Sequence, residues 1–263
     1  MQRASRPTDS IVMAKIYIGT SGWQYQHWVS SFYPAELAPG QFLTYYAEQF
    51  RTVEINNTFY QLPQPETLVR WREAAPKQFV FASKAHRYIT HFKKLNNCED
   101  SICTLFNRLE ILESKLGPIL FQLPPRWHVN IDRLACFLDA LPEGYRYGFE
   151  FRDRSWLIPE VYELLENHRV ALCAYDLGGF RSPVVPTADF FYIRLHGPEG
   201  PYHGSYDGRT LNSWVRRFAR WLKSGQDVYC YFDNDEHGYA AANAARMQQM
   251  VGRYIPGCDT HLD

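Results

Sequence analysis

Three short segments of this chain carry acids, bases and cations at every second position of otherwise apolar runs. They read Val53-Glu54-Ile55-Asn56-Asn57-Thr58, Gly148-Phe149-Glu150-Phe151-Arg152 and Tyr192-Ile193-Arg194-Leu195-His196. Successive side chains of an extended strand point to opposite faces. Glu54 therefore shares a face with Asn56 and Thr58, Glu150 with Arg152, and Tyr192 with Arg194 and His196. The run from Phe79 sets Lys84 and His86 opposite Phe79 and Phe81, while Gln122, Asp176 and the pair Asp233-Asn234 lie at or near the ends of three further runs. Burying several charges is costly unless they pair with one another or meet a ligand, so their convergence at strand ends is the main sign of a site.

The residue types narrow the chemistry. Glu54 and Glu150 can act as general acid and base if their surroundings separate their pKa values, and His196 can carry a proton near neutral pH. These three are the candidate catalytic residues. Lys84, Arg152 and Arg194 offer positive charge, the two guanidinium groups matching a phosphate or carboxylate in a two-pronged geometry. With Asn56, His86, Gln122, Asp176, Asp233, Asn234 and Trp23 they form the candidate substrate-binding set. The competing expectation is a structural network that pairs Glu54 with Lys84 and Glu150 with Arg194. Glu150, Asp176, His196 and Asp233 could also hold Mg²⁺, Mn²⁺ or Zn²⁺. The neighbouring cations already compensate these acids, so no cofactor is expected and a divalent metal is the lesser alternative.

Eight apolar runs must position these groups: Ile16–Gly22, Thr52–Phe59, Phe79–Ala85, Pro118–Leu123, Tyr147–Arg152, Ala171–Asp176, Phe190–His196 and Asp227–Asp233. Stretches with helical spacing separate them. Ile102, Leu105, Phe106, Leu109 and Leu112 form one apolar stripe with Asp100 as the expected N-cap, and Leu211, Trp214, Val215, Phe218 and Leu222 form another. Pro159 opens a third helix, and Ala241, Ala244, Met247 and Val251 mark the last. Strands alternating with helices imply parallel β-α-β units. Eight units in 263 residues imply a single closed α/β barrel of the (β/α)8 type. Between the sixth and seventh strands, 178–189 is rich in Gly and Pro, lacks helical spacing and reads as a loop. In such barrels the active site lies at the C-terminal ends of the strands, where the loop 197–207 also falls. The domain reading is a polar tail over 1–14, the barrel over 15–255 and a short tail over 256–263.

Composition bounds the partners. Lys+Arg and Asp+Glu both number 28, so the basic surplus typical of a general nucleic-acid binder is missing. No apolar run reaches the roughly 20 residues of a membrane helix. Cys98, Cys103, Cys136, Cys173, Cys230 and Cys258 show no C-x-x-C spacing. They read as reduced, mostly buried thiols, which points to the cytoplasm. Trp23, Tyr25, Trp28, Trp127, Trp156, Tyr202 and Tyr206 all follow strand runs. Rings there either gather at the pocket mouth or pack loops onto the barrel; packing is favoured for Trp23 and Trp28.

Several longer motifs, in order, resemble the YecE-like family, DUF72. They are Gly19-Thr20-Ser21-Gly22-Trp23 with Phe32-Tyr33-Pro34, Val53 to Tyr60, Lys84 with Thr90-His91, Phe121-Gln122-Leu123-Pro124-Pro125, Glu150-Phe151-Arg152-Asp153 with Trp156, Arg194-Leu195-His196-Gly197, and Tyr231-Phe232-Asp233-Asn234-Asp235 with Gly238-Tyr239-Ala240. The resemblance runs from about Lys15 to Val251 and implies a TIM-barrel-like fold. It brings no established activity. Barrels of the endonuclease IV and xylose isomerase kind offer an analogy of fold, but the histidine-rich metal set of such nucleases is not visible here. A clan of retaining glycosidases places its acid on strand four, where this chain has Gln122. The leading functional expectation is metal-free acid–base chemistry on a small anionic molecule. The alternatives are a nucleic-acid-binding or endonuclease IV-like phosphodiesterase and a non-catalytic small-molecule binder.

Overall fold

The computed structural model describes residues 14–255, so the tails assigned to 1–14 and 256–263, Ala14 apart, lie outside the described residues, as does Cys258. In chain order the elements are β1 (Ile16–Thr20), α1 (Phe42–Gln49), β2 (Thr52–Ile55), α2 (Pro65–Ala74), β3 (Val80–Lys84), α3 (Glu99–Leu109), β4 (Leu116–Leu123), α4 (Ile131–Asp139), β5 (Tyr147–Phe151), α5 (Pro159–Asn167), β6 (Ala171–Leu177), β7 (Phe180–Arg181), β8 (Phe190–Leu195), α6 (Gly208–Lys223), β9 (Asp227–Phe232) and α7 (Tyr239–Tyr254). The strand order is β1-β9-β8-β6-β5-β4-β3-β2, and every neighbouring pair on that path is parallel. The expected eight-stranded α/β barrel is thus present. The stretch after the sixth barrel strand has no helix, as expected; instead Phe180–Arg181 folds back antiparallel on β6.

The seam between β1 and β2 closes the barrel through few bonds. Ser21 bridges Glu54, and the Gly22 amide donates to the Glu54 carbonyl at 2.8 Å. Deeper in the seam the Tyr46 hydroxyl, reaching in from α1, accepts from the Thr20 amide at 2.9 Å and donates to the Thr52 carbonyl at 3.0 Å. Gly19 is required there, because a Cβ would lie 2.2 Å from the Thr52 carbonyl oxygen.

Apolar residues on the outer strand faces pack against the helices, and the lumen has its own core. Ala82, Leu120, Ala171, Cys173, Phe190, Tyr192, Tyr229 and Tyr231 fill it, with Tyr17 stacked on Tyr229 at 4.7 Å. Aromatic side chains plug the lower lumen, which leaves its upper, C-terminal end to the polar residues. The helix starts follow local chemistry. Pro65 and Pro159 occupy first turns, where a missing N–H costs nothing, and Asn130 and Asp207 accept bonds from Arg133 and Thr210 amides. One expected cap is corrected: α3 begins at Glu99 after Cys98, so Asp100 sits in the first turn. A carboxylate there still favours the positive end of the helix dipole.

Candidate functional site

Arg194 is the centre of the site. Its side chain is fully buried at the end of β8, and a lone buried guanidinium would be untenable. Three carboxylates from three other strands surround it. Its Nε and Nη2 donate to Glu54 Oε1 at 3.1 and 2.7 Å, Nη1 to Glu150 Oε2 at 2.9 Å, and Nη2 to Asp233 Oδ2 at 3.0 Å. Of the expected network, the Glu150–Arg194 pair forms, whereas Glu54 pairs with Arg194 across the lumen rather than with Lys84.

Glu54 lies deepest. Ser21 Oγ donates to Oε1 and Tyr192 OH to Oε2, both at 2.6 Å, and the residue has no exposure. With Arg194 and these hydroxyls engaged, Glu54 supports the floor and does not reach the opening. Glu150 is also fully buried. Gln122 Nε2 donates to Oε1 at 2.8 Å, Arg152 Nε donates to the same oxygen, and Cys173 Sγ lies 3.9 Å from Oε2. Burial would raise the Glu150 pKa, but Arg152, Arg194 and His196 outweigh it and hold the carboxyl well below the usual range. Burial likewise pushes the Cys173 thiol up, and Glu150 adds to the shift.

His196 is fixed between two partners. Asp233 Oδ2 lies 3.0 Å from Nδ1, while Nε2 faces Arg152 Nη2 at 3.0 Å and Glu150 Oε1 at 3.3 Å. A guanidinium can only donate. In the neutral ring the Arg152 contact makes Nε2 the acceptor and puts the proton on Nδ1, toward Asp233; in the protonated ring both nitrogens donate, Nδ1 to Asp233 and Nε2 to Glu150. Burial opposes the charge on Asp233, yet Arg194 and His196 lower its pKa.

The site opens through a different subset. Arg152 is partly exposed, and Lys84, Gln122 and Asp233 are each 8% exposed. Lys84 extends from the end of β3 with its ammonium 4.1 Å from the centre of the Phe59 ring. Among the described residues it joins no ion pair, because the nearby carboxylates are taken by the two arginines. Burial, then Arg194, lowers its pKa to about 8. His91, beside Phe59 on a single π-helical turn (Tyr88–Phe92), is lowered by burial and by Lys84, Arg87 and Arg152 to about 4. Tyr202 stands over His196 with ring centres 5.9 Å apart; its amide donates to the His196 carbonyl at 2.6 Å and its φ is 70°. A tyrosine seldom adopts that backbone conformation.

The other sequence candidates lie at the margin or elsewhere. Asn56 borders the opening, its amide 3.4 Å from the Ser21 carbonyl and its Oδ1 without a hydrogen-bond partner among the described residues. Asp176 does not join the cluster. Tyr175 takes the lumen side of β6, with its ring 6.1 Å from His196 and Arg152 5.2 Å above it. Asp176 turns outward and accepts from Arg181 Nε at 2.7 Å, and burial raises its pKa. The possible metal set Glu150, Asp176, His196 and Asp233 is thereby divided, and no three acids, histidines or cysteines among the described residues form a group able to hold an ion. Asn234 ties Gly204 to Asn243 of α7. His86 lies past the strand and bonds the Tyr60 carbonyl at 3.0 Å. Trp23 packs edge-on to Trp71 at 4.8 Å in the outer core, Trp28 is wholly buried, and Trp127 packs on Trp156. Ser21, Cys173, Tyr175, Tyr192 and His91 were not among the sequence candidates. Strand parity signals Ser21 and Tyr192; the apolar run holding Cys173 and Tyr175 has no alternation to signal them, and His91 has only its place beside Lys84 in a motif.

Fold and site together define a (β/α)8 barrel whose strand ends converge on one buried arginine. The model of the family described as "Protein of unknown function DUF72" matches residues 17–261, and the chain belongs to that family. It is similar to UPF0759 protein YecE of Escherichia coli (strain K12), 35% identical over 138 residues; the match covers 52% of this chain and about half, 48%, of that relative's length. UPF0759 protein YunF of Bacillus subtilis (strain 168) is 26% identical across 90% of this chain and 94% of its own. Among solved structures, a DUF72 family protein from Thermotoga maritima superposes with a TM-score of 0.81 at 28% identity, covering 90% of this chain and 99% of that one. A DUF72 family protein from Enterococcus faecalis V583 gives 0.77 at 18% identity, with 94% and 100% covered, and shares the fold. No helix among the described residues is long and apolar enough to cross a membrane.

Proposed function

We propose that this chain is an enzyme performing metal-independent acid–base chemistry on a small phosphate- or carboxylate-bearing molecule seated on the strand ends. One observation carries the reading: every carboxylate of the cluster is engaged below, while Lys84 and one edge of Arg152 remain toward the opening. The unmet charge at the mouth is positive, which an anion completes. An anion that draws up the Arg152 fork uncovers Glu150 Oε1 and His196 Nε2, both of which Arg152 now covers. Glu150 and His196 then move the proton, with Asp233 holding the imidazole in place. Glu54 acts through Arg194 as a positioning residue. The free cysteines among the described residues fit a reducing compartment, and we place the protein in the cytoplasm.

The test is calorimetric titration with inorganic phosphate and pyruvate at low ionic strength. Binding by the wild type and a loss of roughly tenfold or more in Arg152→Gln are expected, since a hydrogen bond to a charged group contributes about 1.5–3 kcal/mol. Wild-type protein that binds neither anion defeats the reading.

A second reading, a single-stranded nucleic-acid binder, has its own observation on the rim. Tyr60, Tyr88 and Phe92 are 64%, 48% and 67% exposed, with Arg87 across Tyr60 and Phe92 and Lys93 across Tyr88. Rings interleaved with cations can stack bases. It requires salt-dependent binding of a short oligonucleotide that Phe92→Ala weakens.

A further inference from the structure

Lys84 has no role above beyond its charge, yet its setting differs from that of a structural lysine. Such a side chain, when buried, normally meets a carboxylate. Here Glu54, Glu150 and Asp233 all influence Lys84, but Arg194 and Arg152 hold them through direct hydrogen bonds. What the amine touches is the face of Phe59. It projects from a rigid strand end, is 8% exposed, and together with Arg152 lies close enough to His91 to lower that residue's pKa. A desolvated lysine beside other cations is the arrangement that makes an amine nucleophilic at neutral pH.

We propose that Lys84 forms an imine with the carbonyl carbon of a small aldehyde or ketone whose phosphate or carboxylate group rests on Arg152. The inference builds on the anion reading and names the substrate class. The free amine attacks the carbonyl carbon; the C–N bond forms as the C=O π pair moves to oxygen, which takes up a proton. Nitrogen loses a proton and the carbinolamine oxygen leaves as water, giving a protonated C=N bond. The overall balance is ammonium plus carbonyl giving iminium plus water, with no oxidant or reductant. The iminium then draws electrons from the adjacent carbon, so a base can remove a proton there. Glu150 and His196, uncovered by the movement of Arg152, are the groups placed to do so. The lowered Lys84 pKa of about 8 supplies free amine near neutrality, with burial and then Arg194 favouring the neutral form against Glu150, Asp233 and Glu54.

The experiment uses the full chain at about pH 8, where the amine is half free. Pyruvate, glyoxylate and glycolaldehyde phosphate are each added with sodium cyanoborohydride, and the adducts are located by peptide mass spectrometry. One reduced adduct per chain, at Lys84, is expected from at least one of the three. Acetone, a carbonyl without the anionic group, should label this residue at least tenfold less. Lys84→Arg, confirmed as folded by its melting curve, should lose the adduct. Labelling spread over surface lysines, or equal labelling by acetone, overturns the proposal. Phosphate binding without a Lys84 adduct from any probe overturns the imine and leaves the anion site standing. Absence of both overturns the imine and the anion site alike.

Discussion

Replacing Arg194 by methionine tests whether one guanidinium holds the strand ends together. The side chain is wholly buried and makes four hydrogen bonds of 2.7–3.1 Å to three carboxylates. Removing one partner of a buried ion pair costs about 3–5 kcal/mol, because the other charge is left uncompensated. Here one cation serves three acids, so R194M should lose about 5 kcal/mol or more at neutral pH. In a domain of this size 1 kcal/mol moves Tm by about 2–4 °C, so the melting point falls by roughly 10–20 °C. The loss also has a pH signature. Glu150 and Asp233 are held below their ordinary pKa despite burial, so each contributes stability present above its unfolded value, near 4, and lost as pH falls through the folded value. Without Arg194, burial raises both, and protonating them relieves the variant. The gap between wild type and R194M, followed by circular dichroism melts, is therefore widest at neutral pH and narrows on acidification. A Tm loss below about 4 °C at pH 7, or a gap independent of pH, refutes the reasoning.

Tyr46→Phe removes the hydroxyl that joins the Thr20 amide to the Thr52 carbonyl and should destabilise by about 2–6 kcal/mol in chemical denaturation, at about 1–3 kcal/mol per orphaned group. Gly197→Ala should shift the 197–207 loop and increase its proteolysis, since Gly197 has φ +119° and a Cβ would lie 2.3 Å from the His203 carbonyl oxygen; an unchanged cleavage rate contradicts this. Asp176→Asn should change stability by less than about 1 kcal/mol and leave phosphate titrations unaltered, because its partner Arg181 is 53% exposed and its ionised form is already disfavoured by burial. A tenfold loss of phosphate binding in that variant would return Asp176 to the site.

Strand parity makes the barrel and the inner half of the site legible in the sequence. Glu54, Lys84, Glu150, Arg152, Tyr192, Arg194 and His196 were assigned to one face each, and all seven meet around the upper lumen. Parity fails where no alternation exists. The run Ala171 to Asp176 is apolar until its last position, so it did not reveal that Tyr175 faces inward and Asp176 outward. It also fails past the strand ends, where His86 and Asn234 follow turns toward Tyr60 and Asn243. Partner choice is harder still, since Glu54 finds Arg194 across the lumen. Trp23 marks a third limit: a ring in a loop after a strand can face the mouth or the outer core, and only its packing on Trp71 decides.

Charge balance links the structural network to the proposed chemistry. Three carboxylates, Glu54, Glu150 and Asp233, face Arg194, Arg152 and Lys84. With Lys84 protonated the cluster is neutral, and with Lys84 neutral it carries one excess negative charge that would repel an anionic substrate. As a base or as a nucleophile Lys84 starts as the neutral amine and ends positively charged. In the imine that charge stays fixed in the protonated C=N bond, at the nitrogen bound to the anionic substrate. The buried network then has a consequence for reactivity as well as for folding. By engaging every acid with an arginine, it leaves the lysine close enough to feel three carboxylates and without a direct hydrogen bond to any of them. Shortening the guanidinium reach, as in Arg194→Lys, should let Glu54 or Glu150 pair with Lys84 and raise its pKa. The cyanoborohydride adduct would then form more slowly at about pH 8 and recover at higher pH. A labelling profile that does not move toward higher pH would show that the arginine network does not set the reactivity of Lys84.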